Sequence, residues 1–226
     1  DTWCARKRIA TATVAPIDLQ VSGRWSGAKS GALTVSPDGK TLTFLPAAPF
    51  SAGETVTVLM ARSLTSAGGS RMERGFAFNF WVDSRASSVA FTHVQTLGAG
   101  DTPYGAYGGD IDADGDLDLC VPNEKPSDVS VYLADGTGTF GRQTRYGAGL
   151  HCSPSEAADF DFDGHLDLAV ANIFHDDVSV LFGNGDGTFQ PQIRLPVGDQ
   201  PRGLTLLDVD SDGDMDLLIV DGTMLT

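Results

Sequence analysis

Three stretches of this chain superpose without a gap at a constant interval. They are GDIDADGDLDLCV, ADFDFDGHLDLAV and LDVDSDGDMDLLI, and Asp110, Asp159 and Asp208 within them stand 49 residues apart each time. The match continues beyond the acidic core. DVSVYLADGTGTF (128–140) aligns with DVSVLFGNGDGTF (177–189), and Pro103, Cys152 and Pro201 fall at equivalent positions after GAGDT, GAGLH and PVGDQ. A repeat of this length is one supersecondary unit, which buries its apolar faces only by stacking on its neighbours.

Within the second repeat four short strands are predicted, near 156–160, 166–171, 178–182 and 190–195. The third is closed by the turn Asn184-Gly185-Asp186-Gly187. Asn, Gly and Asp tolerate positive φ and suit a hairpin. The two middle segments are rich in Val and Leu, as strands packed between neighbouring sheets require. A ~50-residue period built of β segments is that of a propeller blade. Residues 1–84 read differently. GALTVSPDGKTLTFLP is a hairpin around Pro37-Asp38-Gly39, and 54–60 and 75–82 are two further strands. Short strands with turn signals about every ten residues predict a β-sandwich. The Ser-rich segment 83–89 is the natural joint. The expected fold is therefore all-β: a sandwich over 1–84, then about three blades of an incomplete propeller over 85–226.

Each acidic stretch has the pattern D-x-D-x-D-G-x-x-D. Carboxylates at positions 1, 3 and 5 of a tight loop converge on one centre, and Gly at position 6 permits the sharp turn. A carbonyl at position 7 and a bidentate Asp at position 9 complete the six to eight oxygens that Ca²⁺ takes. The first site is expected to use Asp110, Asp112, Asp114, the Asp116 carbonyl and Asp118. The second uses Asp159, Asp161, Asp163, the His165 carbonyl and Asp167, and the third Asp208, Asp210, Asp212, the Asp214 carbonyl and Asp216. An EF-hand needs Glu at position 12, where this chain has Val121, Val170 and Ile219. Positions 8 and 10 are apolar around the Asp at position 9, which is a strand's alternation.

Charge agrees with this reading. The three loops hold 14 of the 30 acidic residues, and three Ca²⁺ would take the formal net charge from −15 to −9. A strongly acidic chain repels nucleic acid and anionic membrane, so neither partner is expected. No apolar run is long enough to span a bilayer. The chain starts at Asp1 without Met or a signal-type segment, and is expected to be a mature product or a fragment. Cys4, Cys120 and Cys152 lack the spacing of a zinc site and are expected to be small buried or free thiols.

From Phe91 onward, DIDADGDLDL, DFDFDGHLDL, DVDSDGDMDL and VSVLFGNGDGTF resemble the FG-GAP/VCBS repeats of integrin-type propellers. That resemblance implies a seven-bladed propeller with Ca²⁺ in the loops between the first and second strand of each blade, in extracellular or surface proteins, here of bacterial type. TLTFLPAAPFSAGETVTVLM and FAFNFWV resemble bacterial Ig-like domains of the S-layer type, which makes the expected sandwich Ig-like. Three repeats do not close a propeller. The remaining blades are expected from a longer chain or from assembly with other copies.

In an antiparallel meander the calcium loops share one end of the blades with the Gly-rich hairpins. The opposite end carries 122–128, 172–177, 98–104, 147–153 and 198–202, which vary between repeats. Such loops on a rigid scaffold are where recognition resides. Tyr104, Lys125, His151, Phe174, His175 and Arg202 are the candidate ligand residues there. Neither G-x-S-x-G nor H-E-x-x-H occurs, and His93, His151, His165 and His175 share no metal spacing. The expected function is non-catalytic: a calcium-binding extracellular module for adhesion or recognition of carbohydrate or protein, with structural calcium. The alternatives are the propeller portion of a secreted polysaccharide-degrading enzyme, and a structural fibre or surface-layer component.

Overall fold

A computed structural model describes residues 18–66, 68–84, 93–210 and 215–222. The expected joint falls largely on 85–92, and Cys4 on 1–17, both outside the described residues. The chain divides into two compact units: Asp1–Gly23 with Ala28–Asp83 and Asp208–Asp214, and Arg24–Gly27 with Ser84–Leu207 and Met215–Thr226. No helix occurs among the described residues, so none is long and apolar enough to cross a membrane.

Up to Trp81 the strands are β1 (Leu19–Gly23), β2 (Gly27–Ala28), β3 (Gly31–Val35), β4 (Leu42–Pro46), β5 (Thr55–Met60) and β6 (Phe76–Trp81), of which all but Gly27 fall in the first unit. One sheet has the order β2-β1-β5-β6, and β3 and β4 form a separate hairpin. The hairpin turns where Pro-Asp-Gly predicts it. Gly39 takes a φ of 69°, Ser36 N donates to Thr41 O at 2.9 Å, and the Ser36 hydroxyl donates to Asp38. Alternation in Thr55-Val56-Thr57-Val58 sends both valines inward. They join Leu19 and Val21 in a core against which Leu33, Leu42 and Phe44 of the hairpin also pack.

The second unit consists of consecutive antiparallel sheets. β7 (Asp101–Pro103), β8 (Tyr107–Gly109), β9 (Asp118–Lys125), β10 (Asp128–Tyr132) and β11 (Thr144–Gly147) form the first. Its order is β11-β10-β9-β7, with β8 also paired to β9. β12 (Cys152–Ala158), β13 (Asp167–Asn172), β14 (Asp177–Leu181) and β15 (Ile193–Pro196) follow as a four-stranded meander, and β16 (Gly203–Leu207) pairs with β17 (Asp216–Val220). Every residue of β13 and β14 is buried. Leu168 and Val170 join a core with Cys120, Val129 and Val131 of the first sheet, whereas Ala169, Val178 and Val180 join one with Ile219 of the third. The middle sheet is thus covered on both faces, as its near-continuous apolar runs require. The sheets are propeller-like, and among the described residues they close no ring.

Strands expected at 166–171 and 178–182 shift by one residue, to Asp167–Asn172 and Asp177–Leu181, and three other limits differ by more. The strand placed near 156–160 begins at Cys152 and ends at Ala158. The one placed at 190–195 begins at Ile193, because Gln190 N donates to Phe182 O and so belongs to the hairpin closure. Most of the expected loop 122–128 is strand, since β9 runs on to Lys125, leaving a tight turn of Pro126 and Ser127 with a cis Lys125–Pro126 bond.

Candidate metal centre

Hairpin register builds the acidic loops. The residue before position 1 lies opposite the Asp at position 9 in all three repeats: Gly109 opposite Asp118, Ala158 opposite Asp167, and Leu207 opposite Asp216. The intervening residues must therefore curl over the hairpin end. They do so at Gly115 and Gly164, with φ of 100° and 92°, and at Ala113 and Phe162, with φ of 59° and 64°. A non-glycine residue in that region costs of order 1 kcal/mol, which the surrounding structure must hold.

In the first loop, carboxylate oxygens of Asp110, Asp112 and Asp118 lie within 4.8 Å of one another, and in the second those of Asp159, Asp161 and Asp167 do the same. Oxygens sharing one Ca²⁺ at about 2.3–2.6 Å are at most about 5 Å apart, so each trio fits a single ion. The donors are all hard oxygens, which suit Ca²⁺ or Mg²⁺ and not a thiolate-seeking metal. Asp114 and Asp163, at position 5, accept the amide hydrogens of Asp116 and His165 at 2.9 and 2.8 Å and so shape the loop. Asp212 and Asp214 of the third loop lie outside the described residues.

Asp118 and Asp167 anchor the sites. Asp118 accepts the amides of Ile111 and Ala134, each at 2.8 Å and on separate oxygens. Asp167 accepts those of Phe160 at 2.7 Å and Gly183 at 2.8 Å. A carboxylate oxygen has two lone pairs, so each retains one for an ion. Burial raises the Asp118 carboxyl to about 6 despite those two amides, with Asp112 adding repulsion. Asp167 is raised to about 6 by burial as well, with Asp161 and Asp159 adding to it. Burial, with a contribution from Asp163, also raises Asp159. A bound cation would reverse every one of these shifts.

The expected grouping of calcium loops with Gly-rich hairpins is visible in the glycines. A Cβ at Gly136 would lie 2.6 Å from Asp116 Oδ2, and one at Gly185 would lie 2.1 Å from His165 Nδ1. The position-7 side chain of each of the first two acidic loops thus abuts the hairpin of the same sheet.

At the other end of the sheets, His151, Phe174 and His175 come together. The His151 and Phe174 rings stack with centroids 4.4 Å apart, and Leu150 N donates to His175 Nδ1 at 2.8 Å. Glu124, which the sequence reading did not single out, lies 3.2 Å from His151 Nε2. Arg202 donates to Gln200 at 2.8 Å, Tyr104 is exposed, and Lys125 lies opposite Asp101. No hydrogen bond, ion pair or ring contact joins Tyr104, Lys125 or Arg202 to the histidine–phenylalanine group among the described residues. Thr102, His151 and Gln200, again 49 apart, all take positive φ.

A second repeated cluster was missed from the sequence. Buried Asn123 donates to Asp128 at 2.7 Å and to Ser130 at 2.8 Å, and accepts the amide of Gly100 at 2.9 Å. Asn172 makes the same three bonds to Asp177, Ser179 and Gly149. Gln143 and Gln192 bond the two serines, and Arg145 and Arg194 pair with the two aspartates. Each member recurs after 49 residues, a signal available in the sequence. Cys120 and Cys152 are buried free thiols, as expected, raised by burial to about 12 and about 11.

These loops and sheets define a repeat-built all-β chain with acidic, cation-sized sites. Residues 110–170 and 159–219 each match the FG-GAP-like repeat, so the chain contains FG-GAP-like repeats. No curated protein matches the chain. Among solved structures, the N-terminal part of the bacterial S-layer protein SbsC is 15% identical over 87% of this chain and 40% of that one, with a TM-score of 0.31. Surface layer protein SbsC, domains 1–6, is 16% identical over 98% of this chain and 30% of that one, also at 0.31. The chain thus spans well under half the length of either, and the TM-score is too low to define a shared fold.

Proposed function

We propose that this chain is a calcium-binding module of a secreted or cell-surface protein, in which Ca²⁺ is structural and the sheet ends opposite it carry recognition of carbohydrate or protein. One observation supports the calcium reading above all: in two successive repeats, three carboxylates converge within 4.8 Å around a buried Asp with no cationic side chain among its described partners. Extracellular calcium suits such loops, whose affinities in extracellular modules are about 10⁻⁴–10⁻³ M. The third loop is read as a third site by its matching sequence, and the first unit as an Ig-like domain by its two sheets around one core. The module is read as non-catalytic, because the clustered carboxylates are committed to the ion and no nucleophile–base pair accompanies them.

Calorimetric titration tests the metal assignment. Ca²⁺ is expected to bind more tightly than Mg²⁺ to the intact chain, and Asp118→Asn and Asp167→Asn are each expected to remove one site. Unchanged stoichiometry in both variants would sink the assignment. Glycan and matrix-protein arrays, probed with and without chelator, test recognition, and silence on both removes that half of the reading.

A further inference from the structure

The first acidic loop is held from outside its own hairpin. Arg24–Gly27 belongs to the second unit, although it lies far from the repeats in sequence. The segment is anchored on the second repeat. There the Arg24 guanidinium meets Glu156 at 3.3 Å, and a Cβ at Gly27 would stand 3.2 Å from Leu166. Two successive carbonyls of the segment then face the stem of the first loop. Tyr107 Oη donates to Arg24 O, and Asp110 N to Trp25 O, each at 2.6 Å. Gly109 makes room for this, since a Cβ there would lie 2.7 Å from the Tyr107 ring. Asp110 and Ile111 are buried as a result. The second loop lacks such a brace. Asp159 and Phe160 are half-buried, and among the described residues no carbonyl receives Asp159 N.

We propose that Arg24, Trp25 through its carbonyl, and Tyr107 are positioning residues for the cation of the first acidic loop, and that they make it bind Ca²⁺ more tightly than the second. This rests on the calcium reading above. Asp118 and Asp167 are alike in burial and in amide partners, so the difference between the loops lies at their entrances. Asp110, Asp112 and Asp118 share one ion only when the chain entering the loop is fixed. Fixing the backbone of one residue is worth on the order of tenfold in an equilibrium constant. Where that residue is fixed before the ion arrives, binding does not bear the cost. The bond from Asp110 N to Trp25 O supplies this fixation in the first loop, and Tyr107 and Arg24 hold the carbonyl in place.

Calcium titration of the full chain in two backgrounds tests this. Asp167→Asn with Asp216→Asn leaves the first site, and Asp118→Asn with Asp216→Asn leaves the second. The first is expected to bind about tenfold more tightly. Tyr107→Phe removes only a hydroxyl and is expected to weaken the first site about three- to tenfold. Arg24→Ala, which frees the segment from a largely exposed ion pair, is expected to weaken it about two- to fivefold. Neither is expected to change the second site. In metal-free protein the Asp110 amide is expected to exchange at least about tenfold more slowly than that of Asp159, and to lose that protection in Tyr107→Phe. Equal affinities at the two sites overturn the proposal while calcium binding stands. So do variants that weaken neither site or both alike, and an Asp110 amide as exchangeable as that of Asp159. Absence of binding in both backgrounds sinks the calcium reading itself, and this proposal with it.

Discussion

The two ends of the sheets place aspartates in opposite circumstances. At one end Asp128 and Asp177 are met by the chain's own cations, Arg145 and Arg194, and by the amide groups of Asn123 and Asn172. At the other, among the described residues Asp118 and Asp167 receive only backbone amides and stand beside further carboxylates. Both arrangements recur at 49 residues, so both belong to the repeat. The contrast shows what repetition alone does not. Asp128 and Asp177 are neutralised by the chain's own arginines, while Asp118 and Asp167 have no cationic side chain among their described partners.

If this contrast holds, stripping calcium has the largest effect. At a few millimolar Ca²⁺, about ten to thirty times a Kd of about 10⁻⁴ M, each site adds about 1.5–2 kcal/mol. In a chain of this size that amounts to about 2–4 °C per kcal/mol. Chelation is therefore expected to lower Tm by on the order of 10 °C or more, measured by circular dichroism. Melting indifferent to chelator would erase the distinction between the two ends.

Asn172→Leu comes next. It removes two donated bonds and the acceptor for Gly149 N, and is expected to cost about 3 kcal/mol in denaturant melts, since buried partners are left unsatisfied. The loss should be the same with and without calcium, because this end of the sheet carries its own neutralisation. A loss that disappears in calcium would mean that the two ends are coupled.

Arg194→Met is milder. The arginine side chain is 40% exposed, so solvent screens the pair with Asp177. About 1 kcal/mol is expected, partly recovered when Asp177→Asn is added. Full additivity of the two substitutions would show that the pair contributes nothing.

The smallest effect is on pH dependence. In metal-free protein Asp118 and Asp167 have carboxyls raised to about 6, from an ordinary 3.8. A group raised on folding binds its proton more tightly in the folded state. Its stabilising contribution is complete below about pH 4 and is lost as pH rises through about 6. Metal-free protein is therefore expected to melt at a lower temperature at pH 7 than at pH 5. Calcium, which needs the carboxylates ionised, should raise Tm more at pH 7. The opposite order in metal-free protein would show that burial does not hold these two carboxyls above their ordinary range.

Much of the second unit was legible in the residues. Exact repetition places the acidic loops, and alternation around Asp118 and Asp167 puts each in a strand; the strand expected over 166–171 runs from Asp167 to Asn172, and β9 begins at Asp118. The Asn–Asp–Ser cluster was equally written at the 49-residue interval. It was passed over because isolated Asn, Gln and Arg residues read as surface, and only strand pairing brings Asn172 between Gly149, Asp177 and Ser179. The strand limits shifted for a similar reason: Gln190 reads as strand, but a hairpin closure claims its amide.

The first unit shows the reverse. FAFNFWV reads as a strand, and its pairing with β5 follows that reading. Its exposure could not be anticipated, because alternation says which side chains share a face and not whether anything lies over that face. Local chemistry along the chain, the period, the turn residues and the clustered charge, determined that this protein is all-β and that its acidic loops gather carboxylates. Which oxygens converge, which aspartates acquire an arginine and which apolar side chains lie exposed were decided only by tertiary packing. Those outcomes depend on groups far apart in sequence arriving at the same place, and no local pattern encodes that arrival.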